Sequence, residues 1–166
     1  MTDYHINASS IWETTFQLTK DGDEVILGNL IYPKWYSYDA QIELANNTKY
    51  TLEQTGFWGT HVVLKDGEKI LMTCHSNWKG HILMESYLED ELTGYKLKNT
   101  FSLNQKVLLL GPDQNEEMII LPDQRWYESV KKFKITLSDK LSEHPKKDLI
   151  MLTSIHCANR LMLSYG

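Results

Sequence analysis

Asp66-Gly67-Glu68-Lys69-Ile70-Leu71-Met72, followed by a tryptophan at position 78, occurs three times in this chain in varied form. The first copy is Asp21-Gly22-Asp23-Glu24-Val25-Ile26-Leu27, leading to Trp35. The third is Asn115-Glu116-Glu117-Met118-Ile119-Ile120-Leu121, leading to Trp126. The three tryptophans are 43 and 48 residues apart. Flanking features keep the phase. Tyr50-Thr51-Leu52 matches Tyr95-Lys96-Leu97, Phe57 matches Phe101, and Val62-Val63-Leu64 matches Val107-Leu108-Leu109, all at offsets of 44 to 46. A phase shared by independent features marks an internal repeat, which has to be found before the fold is read.

Each unit reads as strands. Asp-Gly at 21–22 and 66–67 stands between two apolar runs, a strong hairpin signal. Apolar and polar residues alternate through 41–44 and 48–54. Ala45-Asn46-Asn47 and Gly111-Pro112-Asp113 are turn clusters. Another strand follows each tryptophan, over 37–44, 80–88 and 130–137. Three units of four predict a mainly β chain of about twelve antiparallel strands. An open sheet of that size exposes its edges and curls, whereas closure into a barrel removes them. A closed ring of twelve is too wide for wall side chains alone to fill.

The C-terminal segment supplies the filling. After the polar link 138–147, with Pro145 suited to a helix first turn, comes Asp148-Leu149-Ile150-Met151-Leu152-Thr153-Ser154-Ile155-His156-Cys157-Ala158-Asn159-Arg160-Leu161-Met162-Leu163. Its apolar residues run round the whole helical wheel, which places such a helix in a core or a membrane. The apolar part, Leu149 to Ala158, is half the roughly 20 residues a span needs. Sixteen helical residues rise about 24 Å, a length that fits inside a barrel. The expectation is one domain over residues 1–166, with a flexible N-terminus at 1–9 and a central helix at 147–164.

Composition narrows function. A chain of 166 residues can bury about 70% of its unfolded surface. A net charge of −5 argues against nucleic acid as a partner, since phosphate binding needs a basic surface. Met1 to Ser10 has no basic region or apolar run, so Cys74 and Cys157 read as free thiols in the cytoplasm. There is no Gly-x-Ser-x-Gly elbow, phosphate loop or His-Glu-x-x-His motif, and the expectation is a protein that is not an enzyme and needs no cofactor.

A twelve-strand barrel around an apolar C-terminal helix resembles the tubby C-terminal-like superfamily, which takes in the tubby domain, the plant LURP-one-related proteins and the phospholipid scramblases. Leu152-Thr153-Ser154-Ile155-His156-Cys157-Ala158-Asn159 looks like the ending of bacterial proteins assigned to that fold, and Phe57-Trp58-Gly59 and Asn77-Trp78-Lys79-Gly80 look similar as well. The resemblance covers roughly residues 10–165. It implies the fold. Tubby domains hold phosphoinositide headgroups with clustered basic residues and scramblases bind calcium, but no such motif maps onto residues of this chain.

Candidate sites follow from residue type and spacing. Cys74, His75, His81, His156 and Cys157 do not meet the ligand spacing of a zinc site: Cys74 and His75 point to opposite faces of a strand, and no Cys-x-x-Cys pair exists. His156 and Asn159 share a helix face and form a buried polar group, fixing the helix's register or lining a pocket at a barrel mouth. Trp35, Trp78 and Trp126 recur once per unit and read as packing residues; Trp58 belongs to one unit and reads as an exposed contact. Glu89-Asp90-Glu91 and Glu116-Glu117 read as solvating carboxylates. Residues 125–147 hold seven basic side chains against three acidic ones, and Arg125, Lys131, Lys132 and Lys134 are the candidate ligand residues. They read either as a site for an anionic lipid headgroup at a membrane surface or as a solvated sheet edge guarded by lysines. The functional expectation is a non-enzymatic module for anionic lipid, with a protein-interaction or regulatory domain lacking a small ligand as the alternative.

Overall fold

A computed structural model of the chain describes residues 1–9, 15–34, 37–56, 60–100, 105–123 and 132–163, with Met162 and Leu163 described by their backbone alone. Every strand among them is paired on both sides. The first unit is β1 (Thr2–Ala8), β2 (Thr15–Lys20), β3 (Ile26–Ile31) and β4 (Ala40–Leu44). The second is β5 (Lys49–Thr55), β6 (His61–Asp66), β7 (Lys69–Ser76) and β8 (Ile82–Ser86). The third is β9 (Thr93–Thr100), β10 (Lys106–Leu110), β11 (Glu116–Pro122) and β12 (Lys132–Leu137), followed by helices α1 (Asp139–Ser142) and α2 (Lys147–Leu163). Each strand pairs antiparallel with its neighbours in sequence, and β1 pairs with β12, so the twelve strands close into a barrel.

Two features of the sequence reading are corrected. Residues 2–8 are not a flexible terminus: they form β1, with Ile6 opposite Leu18 on one side and Phe133 on the other. This strand is the one that closes the ring. The lysines of β12 do not guard a sheet edge, because β12 is bonded to both β1 and β11.

The three-unit repeat shows in the ladders. The hairpin β6–β7 turns on Gly67-Glu68, with Gly67 at φ +60°, a conformation open to glycine without strain. The register slips once per unit: after Leu18 in β2–β3, after Leu64 in β6–β7 and after Leu109 in β10–β11. Each slip is a β-bulge, and the extra residue is Leu27, Leu71 or Glu117 respectively. Leu27 and Leu71 pack on the apolar core. Glu117 takes the equivalent place in the third unit and is 4% exposed, so it is not a solvating carboxylate. The cover over it comes from α1, a single helical turn within the segment read as a polar link. Ser138 caps α1 by accepting the Leu141 N–H, and its hydroxyl donates to Glu117 Oε2.

Inward-facing residues of the strands and α2 make one core, with Ile6, Leu18, Leu30, Leu64, Leu109 and Ile135 fully buried. Residues 149–159 of α2 are buried without interruption. A helix buried all round has to be enclosed, and the ring encloses it. It packs closely on β3, where a Cβ on Gly28 would lie 2.8 Å from Leu152 Cδ1 and 3.3 Å from the Glu43 carbonyl oxygen. Gly28→Val will therefore destabilise the protein by about 1–3 kcal/mol, the cost of overpacking exceeding the gain in strand propensity. Leu152→Ala added to it will cost less than it does alone, as urea unfolding of the four proteins in the cycle will report.

Candidate functional site

The Cys and His residues are placed on two sides of the wall. Cys74 on β7 points inward, where its free thiol is hydrogen-bonded to the free thiol of Cys157 on α2, and this contact with burial pushes the Cys74 thiol well above its ordinary value. His75 is on the outer face, stacked on His61 at 5.7 Å between ring centroids. His81 immediately precedes β8 and is half-buried. No group of three or more metal-ligating side chains lies together among the described residues.

His156 and Asn159 are brought together as the helix-face reading expected, 1% and 8% exposed. Their common partner is Tyr32, just beyond β3. Its hydroxyl is 2.7 Å from His156 Nδ1, its ring stacks on the imidazole at 5.5 Å, and Asn159 bonds the same hydroxyl. Burial pushes the Tyr32 phenol up. This triad ties α2 to the wall. Sequence reasoning missed Tyr32, which lies 124 residues from its partner.

Among the described residues of the basic stretch 125–147, Lys132 and Lys134 lie on β12 and Lys140 on α1. Arg125 and Lys131 lie outside the described residues, as do Trp58, Trp35 and Trp126. Lys134 faces out from β12 and pairs with Asp3 of β1 at 3.4 Å, and Lys132 also has a partner. Lys140 stands beside Glu117 at the other end of β11. The structure thus disperses these lysines and neutralises part of them.

A denser basic surface lies around the β7–β8 turn. Trp78, read as a packing residue, is 91% exposed there. The turn that carries it is firmly built: Asn77 Oδ1 accepts the N–H of Lys79 and of His81, and the Asn77 N–H donates to the His81 carbonyl. Lys79 Nζ sits 5.4 Å from the Trp78 ring. On β9, Tyr95 and Leu97 point into the barrel, which leaves Lys96 and Lys98 on the outer face. Ile82 is opposite Leu97, so His81 stands next to Lys98. Burial, then Lys96, Lys98 and Lys79, hold the His81 imidazole below its usual range. Lys106 of β10 extends the patch, lying opposite Thr100. Neither β9 nor β10 contains a carboxylate. The signal was legible as lysine alternating with apolar residues in Tyr95-Lys96-Leu97-Lys98.

No family model, curated protein or solved structure matches this chain. No helix among the described residues is long and apolar enough to cross a membrane.

The buried triad generates a pH prediction. Burial first, and then Arg160, lower the His156 pKa from 6.5 to about 4. The proton therefore binds the unfolded chain more tightly than the folded one. The stability held above pH 6.5 falls as pH drops toward 4, by about 3 kcal/mol for this group. His156→Leu will remove that part of the acid dependence, measured as urea unfolding free energy at pH 7 and pH 4. An unchanged pH slope in the variant would contradict a neutral, buried His156.

Proposed function

We propose that this protein is a tubby-like, non-enzymatic module that docks on anionic lipid headgroups through the outer wall at the β7–β8 turn. The observation that carries the reading is the exposed Trp78 on a firmly bonded turn beside Lys79, with Lys96 and Lys98 on β9 and Lys106 on β10, two strands that contain no carboxylate. Tryptophan favours the membrane–water interface, where its apolar ring and N–H both find partners. The barrel with its enclosed helix supports the superfamily resemblance. The chain carries −5 overall, so a local positive wall orients it toward a negative surface. Each lysine near such a surface contributes about 1 kcal/mol, so four give a dissociation constant of about 1 mM before the Trp78 contribution. Binding of this strength is reversible and sensitive to salt. Two buried free thiols fit a reducing compartment such as the cytoplasm.

A protein partner is the second reading, favoured by the same exposed indole, since tryptophan is enriched among interface anchors. Salt separates the two, because apolar anchoring is not screened.

Flotation with phosphatidylcholine vesicles, with and without phosphatidylserine, tests the proposal. The protein will float with the anionic vesicles only, and less as salt rises. Lys96→Glu with Lys98→Glu will abolish flotation and Trp78→Ala will weaken it, while Lys132→Glu with Lys134→Glu will leave it intact. Equal loss in both lysine pairs would mean that net charge, and not this wall, governs binding.

A further inference from the structure

Glu117 breaks the internal symmetry of the barrel at a cost. The two equivalent bulge residues are leucines packed on the core, and a carboxylate in their place has to be desolvated. Its side chain is only 5% exposed. Oε2 is satisfied by the Ser138 hydroxyl. Oε1 makes no hydrogen bond among the described residues: its cation, Lys140 Nζ, is 3.7 Å away, on a side chain that is 72% exposed. Glu117 Oε1 is thus served by a loose, solvated counterion.

That side chain lines a cleft of about 260 Å³ between β9, the β10–β11 turn and α1. The other walls include Glu89, Thr93, His144 and apolar side chains. Glu89 reaches in from the β8–β9 connection, accepting from Ser86 at 2.8 Å and, at 3.4 Å, from the Tyr95 hydroxyl. His144 closes that side of the cleft, its Nε2 2.6 Å from Glu89 Oε1 and its Nδ1 2.9 Å from the Lys146 backbone nitrogen. Two carboxylates line the cleft, Glu89 held by His144 and Glu117 facing the displaceable Lys140, with Leu141, Pro112 and the Tyr95 ring as the apolar surface between them. Burial, Glu89 and Glu117 together push the Tyr95 phenol up, as a negative cleft should. Lys140 has somewhere to go, since it is also within electrostatic range of the exposed Asp113.

We propose that this cleft binds a small aliphatic amine or guanidine, whose cationic group takes the place of Lys140 on Glu117 Oε1 while its methylene chain lies along Leu141 and Tyr95. Drug-sized ligands occupy roughly 300–1,000 Å³, so a cleft below that range suits a short chain with one charged head in the site. An ammonium brings three donors and a guanidinium five, and Glu117 Oε1 is the carboxylate oxygen of the cleft that makes no hydrogen bond among the described residues. The proposal is independent of the lipid-binding reading and uses the opposite ends of β9, β10 and β11 from Lys106.

Calorimetric titration of the full chain with 1,4-diaminobutane and with agmatine tests it, against butanol and butyrate as neutral and anionic probes. Both cations will bind and both controls will not. Glu117→Gln will weaken binding at least about tenfold, the loss of a charge-assisted hydrogen bond. Lys140→Met will tighten it several-fold, because the internal competitor is gone; this second variant keeps the test sharp if Glu117→Gln fails to fold. No heat with either cation at about 10 mM, ten times a millimolar dissociation constant, in wild type and Lys140→Met alike, would overturn the proposal and leave Glu117 as an anchor for α1. Butyrate binding that Lys140→Met abolishes would overturn it too, by making Lys140 the ligand group.

Discussion

Enclosure of α2 by the strand ring is the constraint on which the rest depends. A twelve-strand barrel leaves an interior that its own side chains cannot fill, and an apolar helix has nowhere in water to put its surface. Each solves the other's problem. Leu149 to Ile155 meets the inward row of Ile6, Leu18, Leu30 and their equivalents, and one continuous core results. The polar groups that α2 brings inside are costly, at about 1–3 kcal/mol for each left unbonded. Tyr32 takes up His156 Nδ1 and Asn159, but the Thr153 and Ser154 hydroxyls and His156 Nε2 find no partner among the described residues. The helix is held mainly by apolar packing, with one polar tie to set its register.

The second principle is near-symmetry. Bulges at Leu27, Leu71 and Glu117 fall at the same step of each unit and curve the sheet in the same way. A ring made of three similar units closes because each contributes the same bend. Such repetition also makes departures informative. Where two units place a leucine and the third a carboxylate under a short helix, the change is not required by the barrel. Likewise the β7–β8 turn bears an exposed Trp78, on a scaffold that does not need it for closure.

Much of the fold was legible because the forces behind it are periodic. Alternation gave the strands, Asp-Gly gave two hairpins, and the all-round apolar wheel gave α2 to within a residue or so of Lys147–Leu163. β1 was missed because Thr2 to Ala8 stands before the first recognisable repeat element and its pairing with β12 spans the whole chain. The site was far less legible. Glu117 looks like a surface residue in a run of acids, and only the bulge and the cover of α1, both set by tertiary structure, bury it. Linear clustering pointed to 125–147, whereas Lys79, Lys96 and Lys98 converge only once β8 and β9 pair. Charge density along a chain is a poor guide to charge density on a barrel, because neighbours in sequence alternate between wall and interior.

Native-state hydrogen exchange across a urea series tests the enclosure most directly. A helix sealed inside a closed ring cannot open alone, so the amides of residues 149–159 will exchange only with the global unfolding free energy, together with the most protected amides of β2, β6 and β10. Exchange of those helix amides as a group at lower free energy, with the strands still protected, would show that α2 leaves the barrel independently and would contradict the account.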